Sequence, residues 1–249
     1  MAAPRDKPTH ACPLCGGNVY AWIGIPQSVS DASVGLPSPV DPDAPGGGDN
    51  ARLVDRCEKC GVGIERTGGA FDLAAELARI EIEGGPDGAR TFAAPNRASW
   101  QSSLGGDGWA ALAEWPGRLL LTPRAFALLA EKNGLEPEKP AFPPVGQNQR
   151  WLWQSILNGI TLHNNFLSEV RAGRLRMASA RGPGQFIADM LASCLATPFV
   201  LLVSFPLEAI ASLAGRGGRM VVRARAASGE RVSDFDDQRG DLVGAVEVR

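Results

Sequence analysis

The chain has 249 residues, 44% of them hydrophobic and 21% charged, with a formal net charge of −2. This composition excludes a collagenous chain, a fully disordered chain and a polytopic membrane protein, and the length allows one sizeable core or two small ones. Thirty Gly and nineteen Pro punctuate the chain, so the ordered part is expected to be shorter than the length.

Residues 1–10 are polar and contain Pro, with no apolar stretch before Cys12, so they read as a disordered tail without a signal peptide. A cytoplasmic location is the default expectation. Four of the five cysteines fall in two C-x-x-C pairs, a usage that fits a reducing compartment better than a disulfide framework.

The first pair is Cys12-Pro13-Leu14-Cys15-Gly16-Gly17 and the second is Cys57-Glu58-Lys59-Cys60-Gly61. Two thiolates two residues apart fit one tight turn, and the following Gly lets backbone N–H groups approach the sulfurs. Two such knuckles predict a structural tetrahedral zinc site on Cys12, Cys15, Cys57 and Cys60, with no open position for catalysis. Redox use of a single C-x-x-C and chance spacing are the competing readings, and His10 is a nearby substitute ligand or a solvated residue.

Strands are expected at 18–23, 51–56 and 62–66, which makes residues 11–66 a β zinc ribbon. Its Ser, Pro, Asp and Gly-rich stretch at 27–50 reads as a flexible insertion, which loop-closure entropy tolerates.

Beyond the ribbon, an amphipathic helix is expected at 71–82 and a strand at 91–94, followed by helical pieces at 100–104 and 109–113. Thr122, Pro123 and the Asn133-Gly134 pair mark both ends of a helix over 124–131. A further helix is expected from 149 to 172, with Leu152, Ile156, His163, Phe166 and Val170 on one side. Gln154, Asn158, Thr161, Asn165 and Ser168 form a polar stripe beside them. His163 reads as a core histidine with a satisfied partner.

Residues 150–225 hold nine Arg against Glu169, Asp189 and Glu208, about +6 locally against about −8 elsewhere. Inside this part lies an apolar segment at 186–214, uncharged from Met190 to Leu207 and containing Pro198 and Pro206. Two readings stay open. The segment is either a helix, a buried strand at 199–204 and a second helix within a soluble core, or an interrupted hairpin at an anionic membrane surface. Arginines on both flanks favour the membrane surface through 171–225. Cys194, inside the apolar run, reads as a buried, inert thiol. A strand is expected at 220–225, and residues 226–249 read as an acidic mobile tail.

The two knuckles resemble the zinc ribbon that opens a group of bacterial class I S-adenosylmethionine (SAM) dependent methyltransferases. Ala94-Pro95-Asn96-Arg97-Ala98-Ser99 resembles their Pro-Asn-x-x-Ser, and Trp115-Pro116-Gly117-Arg118-Leu119 with Leu121-Thr122-Pro123 resembles their Pro-Arg-His-Leu and Phe-Thr-Pro segments. Asn133-Gly134-Leu135, Trp153-Gln154-Ser155-Ile156-Leu157-Asn158 and Gly215-Arg216-Gly217-Gly218 follow in the same order. The resemblance covers the ribbon and the region 67–225.

The cofactor core of those enzymes has no counterpart here. A SAM site needs a G-x-G-x-G turn after a strand and an acidic residue about 20 positions on, and no G-x-G-x-G occurs in the sequence. Leu119 stands where those enzymes have their His. The resulting expectation is an α+β protein, a zinc ribbon followed by a mainly helical region with a few short strands. It would bind structural zinc without SAM and act as a non-catalytic binding or scaffolding module. Its partner would be another protein, such as a related methyltransferase, or the inner face of a membrane, and no specific nucleic acid. An active methyltransferase with a divergent or partner-supplied cofactor site is the alternative.

Overall fold

The computed structural model describes residues 10–26, 51–66, 71–85, 88–115, 117–173, 175 and 183–227. Of the tails expected at 1–10 and 226–249, His10 and Ala226 lie in strands instead, while residues 1–9, the expected insertion at 27–50 and the residues beyond 227 lie outside the described residues. Within them the fold is α+β, built on two antiparallel sheets.

The first sheet grows from the knuckles. Strands β1 (His10–Ala11) and β2 (Asn18–Pro26) flank the first cysteine pair, and β3 (Ala51–Cys57) and β4 (Gly63–Glu65) flank the second. Strands β2 and β3 pair from Val19 opposite Cys57 to Pro26 opposite Ala51, with a bulge at Trp22, between Ala21 and Ile23. A bulge re-aims the side chain it carries. The sheet continues past the ribbon, because β4 pairs with β7 (Leu119–Leu120).

The second sheet holds the hairpin of β5 (Glu81–Gly84) and β6 (Arg90–Pro95), then β9 (Arg219–Ala226), then β8 (Leu135–Pro137). The last strand of the described chain thus lies between two earlier ones. Val54, Ile64, Leu121, Phe126 and Met220 belong to one continuous buried cluster, so the ribbon and the second sheet share a core.

Local chemistry accounts for the short helices. Asp72 caps α1 (Leu73–Arg79) by accepting from the Ala74 and Ala75 N–H groups, both at 3.0 Å. Ser99 caps α2 (Trp100–Gly105) through the Ser102 N–H at 3.0 Å, and α3 (Ala111–Glu114) follows. Helix α4 (Pro123–Lys132) begins and ends as its sequence predicts, with Thr122 as cap, Pro123 at the first position and Gly134 left-handed at φ 69°. It buries Phe126 and Leu129, and the Phe126 ring lies 5.6 Å from that of Phe92 on β6.

The single helix expected over 149–172 is instead two, α5 (Gln147–Asn158) and α6 (Phe166–Arg171). The break comes from the polar stripe itself. Asn158 donates to the Gly108 carbonyl at 2.7 Å, and its Oδ1 accepts from the Asn165 N–H at 2.7 Å and from Gln154 Nε2 at 3.0 Å. These bonds hold Asn165 in the left-handed conformation, φ 57°, which no helix interior adopts.

Helix α7 (Pro183–Leu213) is continuous for 31 residues, where the sequence suggested an interruption. Pro198 and Pro206 both lie inside it on the exposed side. Each costs the helix one N–H donor, and the turns on either side carry the helix through. The expected strand at 199–204 is therefore absent. Cys194 is exposed rather than buried, because the helix buries only a narrow stripe and Cys194 is off it.

That stripe has inverted polarity. Its buried members are Asp189, Ser193, Val200, Ser204, Glu208 and Ala211. Leu195, Phe199, Leu202 and Leu213 on the outer face are 73%, 73%, 75% and 90% exposed. A helix on a water-soluble body normally does the opposite, because apolar area gains free energy only when it leaves water.

Both acids tie α7 to the body. Asp189 accepts from the Leu162 N–H at 2.7 Å and from the His163 N–H at 3.2 Å, and its Oδ2 lies 2.6 Å from His163 Nδ1. Glu208 accepts from the Gly218 N–H at 2.8 Å and from Gln101 Nε2 at 2.6 Å. His163 is thus a buried histidine with a carboxylate partner, as its place on the apolar side predicted.

Candidate functional site

The two knuckles are built alike. In the first, the Cys12 N–H donates to the Gly17 carbonyl at 2.8 Å and the Gly16 N–H donates to the Cys12 carbonyl at 2.9 Å. In the second, the Cys57 N–H donates to the Val62 carbonyl at 2.9 Å and the Gly61 N–H donates to the Cys57 carbonyl at 3.1 Å. The turn reverses at Gly16 (φ 68°) and Gly61 (φ 75°), so the glycine after each second cysteine is required by the backbone. The Glu58 N–H donates to the Asn18 carbonyl at 3.1 Å and locks one knuckle against the other.

The four Sγ atoms of Cys12, Cys15, Cys57 and Cys60 all lie within 4.8 Å of one another. Cys12 and Cys60 are 3.7 Å apart and Cys15 and Cys57 are 3.4 Å apart. Zinc–sulfur bonds of about 2.3 Å in a tetrahedron put sulfurs about 3.8 Å apart, so the quartet is compatible with a zinc ion at its centre. Disulfides need about 2.05 Å and are not formed. Cys12, Cys57 and Cys60 are buried and Cys15 is half-buried, which leaves the centre little access to solvent.

The electrostatics favour the anionic form at Cys12 and the protonated form at Cys15 and Cys60. A hydrogen bond from Cys60 brings the Cys12 thiol down to about 5 against the cost of burial. Cys60 is pushed up because it holds the shared proton and is desolvated, and burial raises Cys15. A divalent cation among the four would displace the remaining protons. Soft thiolates without imidazole or carboxylate suit zinc.

Neighbouring residues brace the quartet. Asp55, two residues before Cys57, is buried and accepts from Arg66 Nη2 at 2.6 Å and Nε at 3.2 Å, a forked contact across β3 and the end of β4. His10 is not a member of the cysteine group and instead lies 3.8 Å from Asp55 Oδ2. Thr122 Oγ1 donates to the Cys60 carbonyl at 2.8 Å.

The sequence identified the cysteine quartet because its signal is local. The outer face of α7 is a second candidate surface. It was visible as an apolar run, but only the structure shows which side of the helix faces outward. Compared with known proteins, the chain matches no family model, no curated protein and no solved structure.

Proposed function

We propose that the chain is a non-catalytic binding module, stapled by structural zinc on Cys12, Cys15, Cys57 and Cys60, that works while lying on a membrane surface. The observation that carries this reading is the inverted polarity of α7. Its protein-facing stripe holds Asp189, Ser193, Ser204 and Glu208, and its outward face holds Leu195, Phe199, Leu202 and Leu213. At 1.5 Å per residue, 31 residues extend about 46 Å, more than enough to cross a bilayer. Crossing is disfavoured by the two anchors, since Asp189 near one end and Glu208 near the other both bond to the same folded body. A helix held along its length in this way can sink its outer face into the acyl boundary and keep the body in water. Exposed Arg216, directly after the helix, and exposed Arg171, at the end of α6, suit anionic headgroups.

The non-catalytic part of the reading rests on the sequence resemblance to zinc-ribbon methyltransferases without their G-x-G-x-G turn. It is supported by strand direction, because every strand pair among the described residues is antiparallel, whereas a nucleotide-binding α/β core is parallel.

Flotation of the full chain with vesicles containing phosphatidylglycerol tests the membrane reading. The chain is expected to float with the vesicles, and Phe199→Glu with Leu202→Glu is expected to leave it at the bottom of the gradient. Equal flotation of both proteins, or a stable lipid-free dimer that the double substitution splits, would overturn it. Calorimetric titration with SAM tests the second part, and micromolar binding would overturn that.

A further inference from the structure

A cleft of about 530 Å³ opens where the ribbon meets the second sheet and the C-terminal end of α7. Trp22 on β2, Arg56 on β3, Arg97 in the turn after β6, Ser102 and Ser103 on α2, and Arg216 after α7 line it. No carboxylate is among the lining residues. Three guanidinium groups converge from parts of the chain far apart in sequence.

Arg97 is the distinctive member. It is only 8% exposed, and its guanidinium carbon lies 3.7 Å from the Trp22 ring centroid. One of its five N–H donors reaches Ser102 Oγ at 3.3 Å, and its buried Nε has no hydrogen-bond partner. Burial, and then the like charge of Arg56, lower its pKa to about 10, so it is still a cation at neutral pH. A buried cation without a counter-charge is costly, and an anion in the cleft would relieve that cost.

We infer that this cleft binds a phosphate ester, held by Arg56, Arg97 and Arg216 with the Ser102 hydroxyl as a further donor. Planar guanidinium forks match phosphate oxygens in pairs, and three such forks offer more donors than the two oxygens of a single carboxylate can use. Stacking on Trp22 fixes the plane of the Arg97 fork, and the β2 bulge sets Trp22 in place for it. The cleft exceeds the size of a bare phosphate and leaves room for the group that carries it. That group is a small soluble molecule or a lipid, and the inference does not depend on α7 meeting a bilayer.

The test uses the full, metal-loaded chain at constant ionic strength, with chloride as the reference anion. Inorganic phosphate and glycerol 3-phosphate are titrated calorimetrically, and in a second arm the chain is bound to phosphatidylglycerol or phosphatidylcholine vesicles. Arg56→Ser and Arg216→Ser alter exposed side chains, and thermal melting confirms that each variant is folded. The expected result is saturable binding that either substitution weakens about tenfold, the loss of one charge-assisted contact, with Arg124→Ser as an unaffected control. Weakening in the soluble arm identifies a soluble ester. Weakening confined to phosphatidylglycerol vesicles identifies a lipid headgroup. No saturable binding in either arm, or equal weakening by Arg124→Ser, would overturn the inference.

Discussion

The Thr122 hydroxyl donates to the Cys60 carbonyl at 2.8 Å and accepts from the Ala125 N–H at 3.1 Å. One side chain therefore closes the N-terminus of α4 and pins the second knuckle. Thr122→Val keeps the shape and loses both bonds, at an expected cost of about 1–2 kcal/mol. Thr122→Ser is expected to restore most of it. Urea unfolding of the zinc-loaded proteins measures both, and equal stability of Thr122→Val and the parent would show that the bridge carries no weight.

Metal content is the direct check on the cysteine quartet. One zinc per chain is expected in the parent, and it should be lost in Cys12→Ser or Cys60→Ser, because three thiolates hold the ion far less well than four. Chelation should also lower the melting temperature of the parent, since the free energy of metal binding is part of the stability of the ribbon. Unchanged zinc in the Ser variants would refute the assignment.

The two faces of α7 should respond oppositely to substitution. Ser204 is fully buried, so Ser204→Leu overfills a packed contact and should cost about 1–3 kcal/mol. Leu202, 75% exposed, should accept Leu202→Ser within about 0.5 kcal/mol in lipid-free solution. Denaturant midpoints compare them, and a large loss at Leu202 would mean that the outer face is covered by protein.

Burial pushes the Glu208 carboxyl up, partly offset by the Gly218 N–H and Gln101 bonds. The folded protein therefore holds this proton more tightly than the unfolded chain does. The associated stability is present below the ordinary Glu value and is lost as pH rises through the raised folded value, with a slope of at most about 1.4 kcal/mol per pH unit. Glu208→Gln removes the titration, so the stability difference between the parent and this variant should move against the parent over the pH range above the ordinary Glu value. A difference that stays flat across that range would contradict the assignment.

How much the sequence revealed depended on how local the cause was. The knuckles and α4 carry their instructions within a few residues, a C-x-x-C-Gly turn in one case and Thr122-Pro123 with Asn133-Gly134 in the other, and both form as read. The break between α5 and α6 was hidden because the partner that stabilises it, the Gly108 carbonyl, is fifty residues away from Asn158. Pro198 and Pro206 misled for a related reason. Their local preference against helix is overridden by the anchors of Asp189 and Glu208, whose partners Leu162, His163 and Gln101 lie far from the prolines in sequence. The arginine cleft was out of reach altogether, since Trp22, Arg56, Arg97 and Arg216 share no motif or period and meet only through the fold.

The pairing of β4 with β7 bears on how the protein can be divided. Gly63 opposite Leu120 and Ile64 opposite Leu119 make the ribbon's outer strand an interior strand of a larger sheet. At Gly63 a methyl group would already crowd Leu120 Cβ at 3.0 Å. A fragment ending at residue 66 would bare this strand together with the fully buried Val62 and Ile64. Such an edge invites pairing with other chains, so the excised ribbon should self-associate even with its metal bound. Within the whole chain the same contact couples the metal-bearing end to the rest, and heating should melt both in one cooperative transition rather than two.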